Sequence, residues 1–89
     1  MKQLRVTREQ VDRFVLEAVA DAAAVEAATL QQSTPLLDTH MDSLTLVAIV
    51  TRIEVTYGAA FDADELAEIL RARSVGEVAA IVARKLHAD

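Results

Sequence analysis

The chain has 89 residues, 14 acidic and 9 basic, for a net charge of −5; one thin-cored domain is expected, burying about 60–65% of its unfolded surface and leaving little room for an enclosed active site. The acidic field repels nucleic acid and favours a basic partner surface. Without cysteine there is no disulfide framework or thiolate metal site, and His40 and His87 stand too far apart in the sequence to suggest a zinc site.

No apolar run follows Met1-Lys2, as a signal peptide would require, and a stretch such as Leu46 to Val50 is far too short to span a bilayer. A cytoplasmic monomer without a membrane span is expected. The chain starts at Met1 and ends just past its last predicted helix, which fits a free-standing protein. Two glycines, one proline and abundant alanine favour helix throughout.

Thr7 caps the first predicted helix, with Gln10 completing a capping box. Val11, Phe14, Val15, Ala18, Ala22 and Val25 then share one face, which predicts a helix over 8–28. A polar stretch leads to Pro35, so 29–41 reads as a long loop of the kind that often carries function, with Leu36 and Leu37 pinning it to the core. Asp42 caps a second helix over 43–57, which Gly58 stops. Asp62 and Glu65 box the start of a short third helix over 63–70. Ser74 caps a fourth over 75–87, with Glu77 at the reciprocal position and Val75, Val78, Ala79, Val82 and Leu86 as its buried stripe. The basic groupings Arg71 with Arg73 and Arg84 with Lys85 fall near predicted helix ends, where cations offset the dipole. The pattern predicts an all-α bundle of three longer helices and one short one.

The second helix carries two apolar stripes. Leu46, Ile49, Val50, Ile53 and Tyr57 make the natural core face, while Leu44, Val47, Ala48, Thr51 and Val55 gather elsewhere. A helix of so small a bundle does not readily bury both, so the second stripe is expected to be an exposed contact surface. Ser43 lies between the stripes on the first turn. Its hydroxyl sits near unpaired backbone N–H groups and the positive end of the dipole, a field worth about 0.3–1 kcal/mol to a phosphate. Repulsion from Asp42 offsets most of that gain. An adjacent carboxylate is more useful for holding Mg²⁺ while phosphate is transferred.

The segment Thr34-Pro35-Leu36-Leu37-Asp38-Thr39-His40-Met41-Asp42-Ser43-Leu44 resembles the attachment motif of acyl carrier proteins, in which Asp-Ser-Leu opens the second helix after a long loop. Glu54, the Tyr57-Gly58 stop, Phe61-Asp62-Ala63-Asp64-Glu65 and Ser74-Val75-Gly76-Glu77-Val78 continue the resemblance over about 7–86. It implies a four-helix acyl-carrier-like bundle with 4'-phosphopantetheine on Ser43, installed from coenzyme A and Mg²⁺ by a phosphopantetheinyl transferase. It also implies that Asp42 assists the metal during attachment and that Leu44 contacts the transferase and later partners. The carrier itself would catalyse nothing; acyl groups would ride on its arm, served by loading and processing enzymes of ligase, ketosynthase, acyltransferase or condensation type.

Two departures from the family pattern stand out. Thr39-His40 replaces the usual Leu-Gly, and His40 is read as an exposed loop residue. The second helix also lacks the acidic face common among fatty-acid carriers. Acidity lies instead at Asp62, Asp64, Glu65 and Glu68, so a partner is expected to meet Leu44, Val47, Ala48, Thr51 and Val55 flanked by an acidic third helix. That points to a specialised pathway, polyketide or related, in place of housekeeping fatty-acid synthesis. The alternatives are an aminoacyl or peptidyl carrier of nonribosomal peptide assembly, with the same arm and different cargo, and an armless helical interaction module. A Ser43 hydrolase lacks a placed base and a nucleophile elbow.

Overall fold

Each helix begins on the side chain that the sequence offers as its cap. The computed structural model describes residues 6–39 and 41–88, without the side chains of Leu37 and Asp38. Helix α1 spans Arg8–Ala23, α2 Ser43–Tyr57, α3 Ala63–Leu70 and α4 Val75–Leu86. Thr7 with Gln10, and Asp62 with Glu65, form complete capping boxes. Ser74 accepts from the Glu77 N–H, but Glu77 turns its carboxylate to the Arg73 N–H at 2.9 Å, so the box expected at the start of α4 is not reciprocal. The expectations placed on His40 and on the Leu37 side chain fall outside the described residues.

The first helix is shorter than the predicted 8–28. Ala24 takes a left-handed conformation, φ 58°, and ends α1 at Ala23. Its N–H reaches back to Ala20 and Asp21, and the Val25 N–H closes on the Ala20 carbonyl at 3.0 Å, the paired hydrogen bonds of a left-handed helix stop. Ala22 and Val25 are consequently exposed, whereas Val19 and Ala20 join the buried face. The same stop recurs at Gly58, where the Ala59 N–H meets Glu54, and at His87, where the Ala88 N–H meets Ala83. The fourth helix therefore ends at Leu86, one residue before the predicted 87. The expected loop also holds short 3-10 turns at Ala27–Thr29 and Leu36–Thr39.

Helix α1 packs most extensively on α4, while α2 and α3 lie against that pair. One continuous core joins Val11, Val15 and Val19 of α1, Ile49 and Ile53 of α2, Ile69 of α3 and Val78 and Val82 of α4, with Leu36 from the loop. Beside it Phe14 meets Tyr57 edge-on, ring centroids 5.3 Å apart. Burial of the Tyr57 ring raises its hydroxyl pKa. Because α2 is not enclosed, one side can pack inward while the other stays in water.

The loop before α2 is held by backbone. Leu36 N–H donates to the Arg73 carbonyl (2.8 Å), Val75 N–H to Thr34 (3.1 Å) and Gly76 N–H to Gln32 (2.7 Å). Two first-turn donors of α4, which have no intrahelical partner, are thereby satisfied by loop carbonyls. Gly76 is required for the approach: a Cβ there would stand 2.9 Å from the Gln32 carbonyl oxygen. No described helix is long and apolar enough to cross a membrane.

Candidate functional site

Asp42 builds the site at the loop–α2 junction. Its Oδ1 accepts from both the Thr45 N–H and the Thr45 hydroxyl, each at 2.8 Å. Those bonds, the backbone one foremost, hold its pKa below the ordinary aspartate value, so it is a carboxylate at neutral pH. The next residue, Ser43, is exposed, and among the described residues its hydroxyl makes no hydrogen bond. With Thr45 served by Asp42, the N–H groups of Ser43 and Leu44 remain the first-turn donors without an intrahelical acceptor. An anion on the serine would find those donors on one side and the Asp42 carboxylate on the other.

Ser43 and Asp42 stand at a cleft of about 580 Å³, walled chiefly by Leu36, Met41, Leu46 and Leu70 and reaching Arg73. This volume lies within the range of small-molecule sites, roughly 300–1,000 Å³. A long, partly apolar group attached to the serine therefore fits: an open hydroxyl to bear it, backbone donors for a phosphate at its root and apolar walls for its chain. Among the described residues no three His, Cys, Asp or Glu side chains gather as metal ligands.

The second stripe of α2 faces water. Leu44 and Val55 are each 79% exposed and Val47 37%, with Ala48 and Thr51 also exposed. Arg52, beside the stripe in sequence, is drawn towards α1, where it pairs with Asp21 at 3.1 Å and lies 5.4 Å from the centre of the Phe14 ring. The acidic cluster of α3 is less available than its composition implies. Glu65 serves the Asp62 N–H and Lys85 (3.0 Å), and these two contacts lower its pKa. Glu68 pairs with Arg84 at 2.6 Å and raises the pKa of that guanidinium. Asp62 is occupied as the cap of α3, whereas Asp64 forms no ion pair among the described residues.

The cleft brings Ser43 and Asp42 together with residues that sequence patterning does not associate with them. Leu70 and Arg73 sit some thirty positions away and arrive through the α3–α4 corner. Thr39, which stands with His40 in place of the family's usual Leu-Gly, is buried and donates its hydroxyl to the Leu36 carbonyl at 2.6 Å, closing the turn at Leu36–Thr39. No periodic signal marks such a residue.

Comparison with known proteins gives one match. The family model described as the phosphopantetheine attachment site covers residues 13–85, most of the chain. No curated protein and no solved structure matches it.

Proposed function

The chain belongs to the phosphopantetheine-attachment family and is a carrier for that group, and from this premise we propose that Ser43 bears the 4'-phosphopantetheine arm and that the protein carries acyl groups in a specialised biosynthetic pathway, polyketide or related. The observation that carries the assignment to Ser43 is its exposed hydroxyl, free of hydrogen bonds among the described residues, on the first turn of α2 at the mouth of the apolar cleft. When bound, the arm supplies a terminal thiol on which acyl groups are held as thioesters.

The protein's own residues have limited parts. Ser43 offers its oxygen to the phosphorus of the phosphopantetheine group, the pyrophosphate bond of coenzyme A breaks to release adenosine 3',5'-bisphosphate, and the base that takes the serine proton is assigned to the transferase. Asp42 is ionised by its hydrogen bonds to Thr45 through Oδ1, and its other oxygen would help hold the Mg²⁺ that the transferase uses during attachment. The N–H groups of Ser43 and Leu44 then favour the phosphate left on the helix.

The specialised pathway is supported by the outer face of α2. A carrier that meets basic enzymes would present carboxylates there, but Leu44, Val47, Ala48, Thr51 and Val55 form an uncharged surface. The two glutamates of α3, Glu65 and Glu68, are engaged by Lys85 and Arg84. Partner enzymes, whether transferase or acyl-handling, are thus read as docking by apolar contact.

Intact mass spectrometry tests the attachment. Incubation with a promiscuous phosphopantetheinyl transferase, coenzyme A and Mg²⁺ should add one phosphopantetheine to the wild type and none to Ser43→Ala. A folded wild type that gains no mass would sink the assignment.

A further inference from the structure

The attachment reading leaves one residue of the cleft without a role. Among the described residues that line it, Asp42 and Arg73 are the charged ones. Asp42 is committed to the cap of α2. The Arg73 guanidinium makes neither an ion pair nor a side-chain hydrogen bond among the described residues. Its backbone, in contrast, is fixed on both sides: the N–H donates to Glu77 at 2.9 Å and the carbonyl accepts from Leu36 at 2.8 Å. Glu77, the nearest carboxylate along the chain, is thus engaged by the backbone and not by the guanidinium. The backbone that bears this exposed cation is anchored at the edge of the cleft, and among the described residues its charge has no partner.

Resting on Ser43 as the attachment point, we propose that Arg73 is a specificity-determining residue of the cleft, its guanidinium receiving an oxyanion borne by the arm. The guanidinium fork matches the paired oxygens of a carboxylate or a phosphodiester. Two sources supply that chemistry: the phosphodiester at the root of the arm, and a carboxylate at the far end of a diacid acyl group. The apolar walls between Ser43 and Arg73 accommodate methylene groups in either case.

The test loads the full-length protein from coenzyme A, from hexanoyl-coenzyme A and from adipoyl-coenzyme A, the last of which adds a terminal carboxylate to the same chain length. The Arg73 Nε–H resonance, assigned by its loss in Arg73→Lys, is followed by NMR in each form. A shift on loading from coenzyme A alone assigns the phosphodiester; a shift confined to the adipoyl form assigns the carboxylate. In the form that shifts the resonance, or in the acylated forms if the phosphodiester is responsible, Arg73→Gln should speed thioester cleavage by hydroxylamine about two- to fivefold, the range of an exposed ion pair. Arg73→Lys should restore part of the protection. The glutamine variant keeps both backbone bonds, so the cleft remains formed. A resonance that does not move in any loaded form, or a cleavage rate unchanged by Arg73→Gln, overturns the role of Arg73 while the mass gain upholds the arm. No mass gain overturns the attachment reading and this one with it.

Discussion

A single left-handed residue decides where α1 ends. Ala24 adopts φ 58°, a region in which the Cβ of an L-residue costs about 1–2 kcal/mol, whereas Gly58 meets the same demand at φ 65° without that cost. Ala24→Gly should raise stability by about 0.5–1 kcal/mol after the added freedom of the unfolded glycine is counted, seen as a higher urea midpoint at unchanged slope. Asp42 has a pH signature. Its pKa is lowered in the fold by Thr45, so its contribution is present above the ordinary carboxylate range and is lost as pH falls through its folded value. Thermal melts from about pH 5 down to about pH 2 should show a smaller acid-side decline in Asp42→Asn than in the wild type. An equal decline would mean that other carboxylates, Glu65 among them, set the whole response.

At the scale of elements, what the sequence makes legible is local. Four caps announce four helix starts because each cap and its partner lie within three residues. The two faces of α2 follow from periodicity, and its exposed face lies roughly half a turn from the core face. The end of α1 is not legible, since only one of the three left-handed stops carries glycine. The seat of the loop is hidden for another reason: Gln32, Thr34 and Leu36 bond through backbone to residues some forty positions later. Gly76 marks that contact, yet in the sequence it looks like an ordinary helix glycine. Gly76→Ala should cost about 1–3 kcal/mol despite alanine's better helix propensity, because the added methyl meets the Gln32 backbone. The same substitution should slow modification of Ser43, since the loop that leads to α2 must shift. Urea denaturation and a timed transferase assay report the two effects separately.

For the molecule as a whole, charge is distributed away from the surface proposed to meet partners. The net charge is −5, but the outer face of α2 carries none, Arg52 is held towards α1 and two α3 glutamates are paired with α4. Docking governed by opposite charges weakens steeply with salt. Transfer to a cognate enzyme should therefore change little between about 0.05 and 0.5 M salt, and Val55→Glu should reduce it about tenfold, as expected when a contact residue at an apolar interface acquires a charge. A steep loss with salt would reveal a basic partner surface instead. The backbone bonds from Gln32, Thr34 and Leu36 to the α3–α4 corner have a further consequence during synthesis. While the ribosome has released only α1 and α2, the segment ahead of Ser43 lacks the groups that hold it in place. The serine becomes a well-formed substrate only after α4 has emerged and folded back, so addition of the arm is expected to follow completion of the bundle, and an unfinished chain is left unmodified.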